Sequence, residues 1–263
     1  RYARVTGVQT CALPIYQLTD RLFWESYWES KTENLQKEIP KKDIFYPIFH
    51  DLIQKNKIQS AIELGGFPGY YTIYLKKLTN IKVSLLDFFI HRKISKQLFE
   101  ANGLQENSIE IIEADLFKYT PQKQYDLVFS FGLIEHFEDT NDVVLRHLPF
   151  LNKDGILLIT LPNFKSVNGW FQKTFDRENY DIHNIKSMDI ELLKNIAQNA
   201  GMKDVQCHYF GQFSVWLEDE TNRSLPVRIL KKTIWTIGKI ISKIIRIETK
   251  ILSNTIYVRA NIL

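Results

Sequence analysis

Cysteine is scarce in this chain. Its 263 residues include two, Cys11 and Cys207, too few for a disulfide framework and without metal-ligand spacing. A reducing cytoplasm is therefore the expected compartment, and no bound metal is expected. No uninterrupted apolar run reaches the ~20 residues that a membrane-spanning helix needs. Positive charge over the whole body is also missing. The net charge is +4, but residues 226–252 hold seven Lys or Arg (228, 231, 232, 239, 243, 246 and 250) against the single Glu248. That local +6 leaves 4 − 6 = −2 for the remainder, which excludes a nucleic-acid footprint spread over the molecule.

What is present is ordinary for a globular α/β protein, with one excess. Apolar residues make up 44% and charged residues 24%, while aromatic residues reach 13%, which points to a deep core or an aromatic-walled pocket. The length suits one large domain, or one domain with an appendage. Residues 1–15 fit no periodic pattern and read as adaptor-derived artefact or as an unstructured lead.

Residues 61–75, AIELGGFPGYYTIYL, organise the rest. A buried strand closes on Glu63 and Leu64, Gly65, Gly66 and Gly69 follow, and a helical pattern begins near Tyr70. Strand, glycine turn and helix N-terminus are the parts of a nucleotide site, because the turn admits close approach and the helix offers unpaired N–H groups. The bland alternative is a connecting turn. A second strand, 81–87, ends in Asp87, 24 residues after Glu63 and near the separation at which βαβ units place an acid for ribose hydroxyls.

Upstream, residues 16–31 read as a helix with Leu22, Phe23, Tyr27 and Trp28 on one face, either a lid over a pocket or a helix packed on the core. Residues 43–55 read as a helix with Pro47 in its first turn, and 91–101 as another closed by Asn102-Gly103. Further strands are expected at 108–114, leading to Asp115, at 125–131, including Ser130 and Phe131, and at 156–161, with a helix at 141–151. Residues 187–200 read as a helix, 205–217 as an antiparallel strand and 254–261 as the closing strand. The alternation implies a doubly wound, mainly parallel sheet whose ligand site lies beyond the strand carboxyl ends.

Glu63-x-Gly65, Asp87 after strand two, Glu113-Ala114-Asp115-Leu116 after strand three and residues 131–136, FGLIEH, after strand four resemble the motif series of class I S-adenosylmethionine-dependent methyltransferases. The resemblance spans roughly residues 18–217. It implies a seven-stranded Rossmann-like fold with an antiparallel C-terminal strand, S-adenosyl-L-methionine as cofactor, and methyl transfer. It further implies that Glu63 meets the cofactor's amino group and that the Gly65, Gly66 and Gly69 backbone passes beneath its methionine part. Asp87 then takes the ribose hydroxyls and Phe88 the adenine face, Asp115 and Leu116 bind the adenine edge, and Ser130 and Phe131 close the strand-four side. Phe67-Pro68 replace the glycine usual in this turn, so either Gly66 shifts the turn by one position or Phe67 narrows the pocket.

His136 is the candidate base, with Glu135 as the alternative; His136 titrates near neutrality if unperturbed, and orienting the turn is the competing role. Trp170, Phe171, Tyr180, His183 and Asn184, in the segment after strand five, are candidates for binding the acceptor; a surface insertion packed on the core is the alternative. No Asn/Asp-Pro-Pro-aromatic signature of amino-group methylation occurs at strand four, which favours an oxygen or carbon acceptor, a small molecule or a lipid- or glycan-linked precursor. The alternatives are a protein or nucleic-acid methyltransferase and a non-catalytic cofactor-binding or scaffold protein.

Residues 226–247 form an amphipathic pattern with isoleucines on one side and cations on the other. It suits either peripheral contact with the inner membrane face or packing on its own domain or a dimer mate. The expected organisation is thus a lead (1–15), a helical cap (16–57), a cofactor-binding core (58–225), a basic helix (226–252) and a closing strand (253–263).

Overall fold

The computed structural model describes residues 17–33, 35, 37–245 and 248–262; the segment 1–15 singled out above lies outside them. Seven strands form one sheet: β1 (Ser60–Leu64), β2 (Lys82–Asp87), β3 (Glu110–Glu113), β4 (Tyr125–Phe131), β5 (Leu151–Pro162), β6 (Lys203–Phe210) and β7 (Thr255–Asn261). Their order is β3-β2-β1-β4-β5-β7-β6. The first five run parallel, and β7 runs antiparallel to both β5 and β6.

Nearly continuous apolar strands need cover on both faces, and they have it. Leu85 and Phe129 pack with Phe49 of α2 (Tyr46–Asn56), Ile73 of α3 (Tyr70–Leu78) and Leu98 of α4 (Arg92–Ala101). The alternate residues Leu86 and Val128 pack with Val143 of α5 (Thr140–Leu145) and Ile196 of α8 (Ile190–Asn199). Helix starts follow local chemistry: Pro47 occupies the first turn of α2, and the Asp189 carboxylate accepts from Glu191 and Leu192 N–H at the start of α8.

Several boundaries differ from expectation: the first helix begins at Arg21 and β5 already at Leu151. β3 is shorter, because β2 pairs with it only from Ser84–Glu110 to Asp87–Glu113. α5 ends at Leu145, and a 3-10 turn at Leu148–Phe150 precedes β5, which carries a register shift where it begins pairing with β4. β6 stops at Phe210 and runs in the direction of the first five strands; Phe213, Val215 and Leu217 leave the sheet to form a small core with Phe171 of α6 (Val167–Phe175).

α1 (Arg21–Lys31) and α9 (Leu225–Ile245) stand outside the core layers. α1, capped by Asp20 Oδ1 accepting from Phe23 N–H at 2.8 Å, has no fully buried residue and lies over the carboxyl ends of the strands. α9 is inserted between β6 and β7, although Phe210 and Thr255 pair directly across that insertion. The single apolar side expected of α9 divides in two. Val227, Ile234 and Gly238 face the small core, where a Cβ on Gly238 would come within 2.1 Å of the Phe213 ring. Ile229, Ile237, Ile240 and Ile244 form a second apolar stripe that is exposed.

Candidate active site

A cleft of about 900 Å3, partly open to solvent, lies at the carboxyl ends of β1, β2, β3 and β4. Gly65 and Gly69 take φ of +62° and +90°, the left-handed region that a side chain disfavours, and Gly69 N–H donates to Gly66 carbonyl at 2.7 Å. Between them the Phe67-Pro68 peptide is cis. Phe67 N–H donates to Asp87 Oδ2 at 2.9 Å, and the Phe67 ring meets Trp28 of α1 edge to face, 4.9 Å between centroids. Phe67 therefore fills the floor of the cleft beneath α1.

Gly65, Asp87, Phe88, Asp115, Leu116 and Phe131 line this cleft. Asp87 is half-buried, and desolvation raises its pKa to about 6, although the N–H groups of Phe67, Phe89 and Phe88 oppose that rise. Asp115 Oδ1 accepts from Phe117 N–H at 2.9 Å, fixing the carboxylate at the end of the turn after β3.

The remaining cofactor candidates sit behind the wall. Glu63 accepts from Thr72 N–H at 3.1 Å and from the Thr72 hydroxyl, so it anchors the start of α3. Burial without a cation lifts its pKa to about 8. Gly66 lies directly over that side chain, where a Cβ would come within 2.2 Å of Glu63 Cγ. Gly69 caps α3. Ser130 requires correction as a cleft residue. Strand alternation turns it opposite to Phe131, and it is fully buried with its hydroxyl 2.9 Å from His147 Nε2.

His136 forms part of the cleft wall, edge-on to Trp24 at 5.1 Å. Its expected titration near neutrality is corrected: desolvation first, and His183 second, lower the pKa to about 3, so the ring is neutral. Nδ1 stands 3.2 Å from the Ile182 carbonyl, an acceptor only, which assigns the proton to Nδ1 and leaves Nε2 unprotonated. Glu135 is buried behind it with its pKa raised to about 8 by desolvation, and Oε2 has no hydrogen-bond partner among the described residues.

The five acceptor candidates disperse. Trp170 is exposed on α6, and Phe171 is fully buried in the small core, so neither reaches the cleft. Tyr180 stacks on Phe164, centroids 5.9 Å apart. Asn184 donates through Nδ2 to the Phe137 and Glu138 carbonyls, tying its loop to the turn after β4. His183 lies beside His136, ring centroids 4.8 Å apart. Tyr27 and Trp28, two residues of the face read above as a lid or a core contact, line the cleft, and residues not anticipated join them: Trp24 from α1, and Phe117, Leu133 and Phe137 from the turns. Leu22, expected on the inner face of α1, is exposed, and the i, i+3, i+4 spacing of Trp24, Tyr27 and Trp28 is the signal that identifies the true face.

A family model described as a methyltransferase domain matches residues 28–207. The chain belongs to this methyltransferase family. Its cofactor is S-adenosyl-L-methionine, and the site fits one: carboxylates at the ends of β2 and β3, aromatic walls, and no Lys or Arg among the described lining residues to repel a sulfonium. Malonyl-[acyl-carrier protein] O-methyltransferase 2 of Ilyobacter polytropus is 29% identical over 105 residues, 40% of this chain and 39% of the relative. Among solved structures, an S-adenosylmethionine-dependent methyltransferase from Archaeoglobus fulgidus superposes with TM-score 0.53 at 16% identity, over 92% of this methyltransferase and 100% of that chain. Phosphoethanolamine N-methyltransferase 2 of Haemonchus contortus, solved with S-adenosyl-L-methionine, gives TM-score 0.53 at 16% identity over 82% of this chain and 52% of its own. At these identities the structural likeness carries the fold.

Proposed function

We propose that this methyltransferase transfers a methyl group from S-adenosyl-L-methionine to an oxygen or carbon of a small acceptor, either free or carried on a lipid- or glycan-linked precursor. The observation that carries this reading is the cleft itself: carboxylate-bearing, walled by aromatic rings and roofed by α1, it suits a cofactor and a compact acceptor. In this reading Asp87 accepts from the ribose hydroxyls, Phe88 meets the adenine, and Asp115 with the Leu116 N–H binds the adenine edge. The cofactor's sulfonium supplies an already activated methyl group. The chain's task is then alignment and exclusion of water, which Trp24, Trp28 and Phe67 perform from above and below. His136, neutral with Nε2 unprotonated, presents that single lone pair at the cleft wall.

α9 favours an acceptor presented at an anionic lipid surface, with the enzyme on the cytoplasmic face. Its exposed stripe of Ile229, Ile237, Ile240 and Ile244 is flanked by the cations Arg228, Lys232, Lys239 and Lys243, the pairing that a negatively charged bilayer interface accommodates.

Calorimetry with S-adenosyl-L-methionine and S-adenosylhomocysteine tests the cofactor; no heat at millimolar ligand sinks the enzyme reading. Transfer of labelled methyl from the cofactor into separated small-molecule, lipid, protein and RNA fractions tests the acceptor. Label confined to protein or RNA overturns it. Flotation on phosphatidylglycerol-containing vesicles, with phosphatidylcholine vesicles as control, tests α9. Equal recovery of wild type and the Lys232→Glu, Lys239→Glu, Lys243→Glu triple variant removes the membrane contact, and a dimer in place of vesicle binding assigns the stripe to a second copy.

A further inference from the structure

We infer that Glu135, His136 and His183 form a binding site for one divalent first-row transition ion at the wall of the cleft. One ligand atom from each lies within 4.8 Å of the others, and among the described residues no other group of three His, Cys, Asp or Glu is brought so close. The sequence conceals the site, because Glu135 and His136 follow β4 while His183 follows α7 (Arg177–Asp181), 47 residues beyond His136.

Four observations separate this cluster from a chance meeting of polar side chains. Glu135 Oε2 is a buried carboxyl oxygen with no partner among the described residues, a costly arrangement that a cation would relieve. His136 Nδ1 stands 3.2 Å from the Ile182 carbonyl, and His183 Nδ1 stands 2.6 Å from the Asn179 carbonyl. A carbonyl can only accept, so each Nδ1 carries the proton and each Nε2 presents a free lone pair. That is the arrangement by which backbone carbonyls orient imidazole ligands. The loop bearing His183 is also fixed to the turn bearing the other two, because Asn184 N–H donates to the Glu135 carbonyl at 2.6 Å.

The donor set selects the ion. Two imidazole nitrogens and one carboxylate oxygen suit zinc, manganese or iron(II), whereas magnesium and calcium prefer oxygen. Ligands of tetrahedral zinc, each ~2.1 Å from the metal, stand roughly 3.4 Å apart, so the three close by up to about 1.4 Å around the ion. Three protein ligands leave a position for water or substrate. Because His136 also forms the cleft wall, an acceptor hydroxyl at that position would ionise more readily and donate its oxygen pair to the methyl carbon as the carbon–sulfur bond breaks, its proton passing to water. The metal site rests on geometry alone and stands whether or not the proposed acceptor is right.

The test is calorimetric titration of tag-free, chelator-stripped full-length protein with zinc and with manganese, magnesium serving as control, alongside the electron paramagnetic resonance spectrum of bound manganese. One ion per chain is expected, with affinity for zinc at least tenfold above that for magnesium. Glu135→Gln and His183→Gln are each expected to weaken zinc binding by ten- to a hundredfold. S-adenosyl-L-methionine titration and the melting temperature check that both variants remain folded. Absence of zinc and manganese binding at ~1 mM ion, or binding unchanged in both variants, overturns the site. Metal binding without cofactor binding leaves the site standing and defeats the methyl-transfer reading instead.

Discussion

The Phe67 N–H and the Asp87 carboxylate are hydrogen-bonded at 2.9 Å, so the glycine turn after β1 and the acid at the end of β2 form one unit. Asp87 also accepts from Phe89 N–H at 3.1 Å, so the carboxylate is oriented before any ligand arrives. Asp87→Ala is expected to weaken S-adenosyl-L-methionine binding at least tenfold by calorimetry. Burial raises the Asp87 pKa to about 6, and the acceptor form of the carboxyl is the ionised one. Affinity should therefore be level above pH 7 and decline as pH falls through 6; a flat profile from pH 5 to 8 would remove Asp87 from the ribose contact.

Phe67→Ala removes a buried ring and its edge-to-face contact with Trp28. A loss of about 3 kcal/mol in urea unfolding is expected, together with a raised KM for the cofactor. A change below about 1 kcal/mol would mean that the ring contributes no packing there.

Gly66→Ala places a methyl group 2.2 Å from Glu63 Cγ and is expected to abolish cofactor binding. Adding Glu63→Ala removes the obstructing atoms, so the double variant should be more stable than Gly66→Ala alone. Additive losses in the double-mutant cycle would show that the two sites are independent.

Glu63 has a folded pKa of about 8 against an ordinary 4.5, raised by desolvation. The native state thus holds a proton that the unfolded chain releases at lower pH. Its stability contribution is complete below pH 4.5 and is lost as pH rises through 8. Ligand-free protein should lose stability across that window, on the order of 1 kcal/mol per pH unit at most, and Glu63→Gln should flatten the slope. Thermal melts from pH 5 to 9 read both; parallel curves for wild type and variant would contradict the assignment.

Trp24 lines the cleft against His136, whereas Trp170 is exposed on α6. Trp24→Ala is expected to raise the KM for cofactor several-fold, and Trp170→Ala to leave it unchanged. Steady-state kinetics with the two variants side by side distinguishes them.

The sheet was legible in the sequence because each of β1 to β4 runs into an acid or a glycine at its carboxyl end and β5 is an apolar run stopped by Pro162; Asp87 and Asp115 mark two of those ends. Ser130 was misplaced through strand alternation, since it and Phe131 cannot share a face. Phe171 was misplaced because an aromatic after β5 has two destinations, and the one it takes depends on Phe213, Val215 and Leu217 folding back from beyond β6. The pairing of His136 with His183 is a tertiary event that no local spacing announces. In α9 the periodicity located the helix, but the division of its apolar side depends on Gly238 admitting Phe213.

Phe210 and Thr255 face each other across the β6–β7 pair, so the chain leaves the sheet and re-enters it at a single rung. To the sheet, the whole excursion containing α9 is one loop, and the entropic cost of closing a loop grows only slowly with its length. The last two strands therefore tolerate an appendage of almost any size at this rung. A helix such as α9 can be gained, exchanged or lost there without altering the register of the strands that build the cofactor cleft.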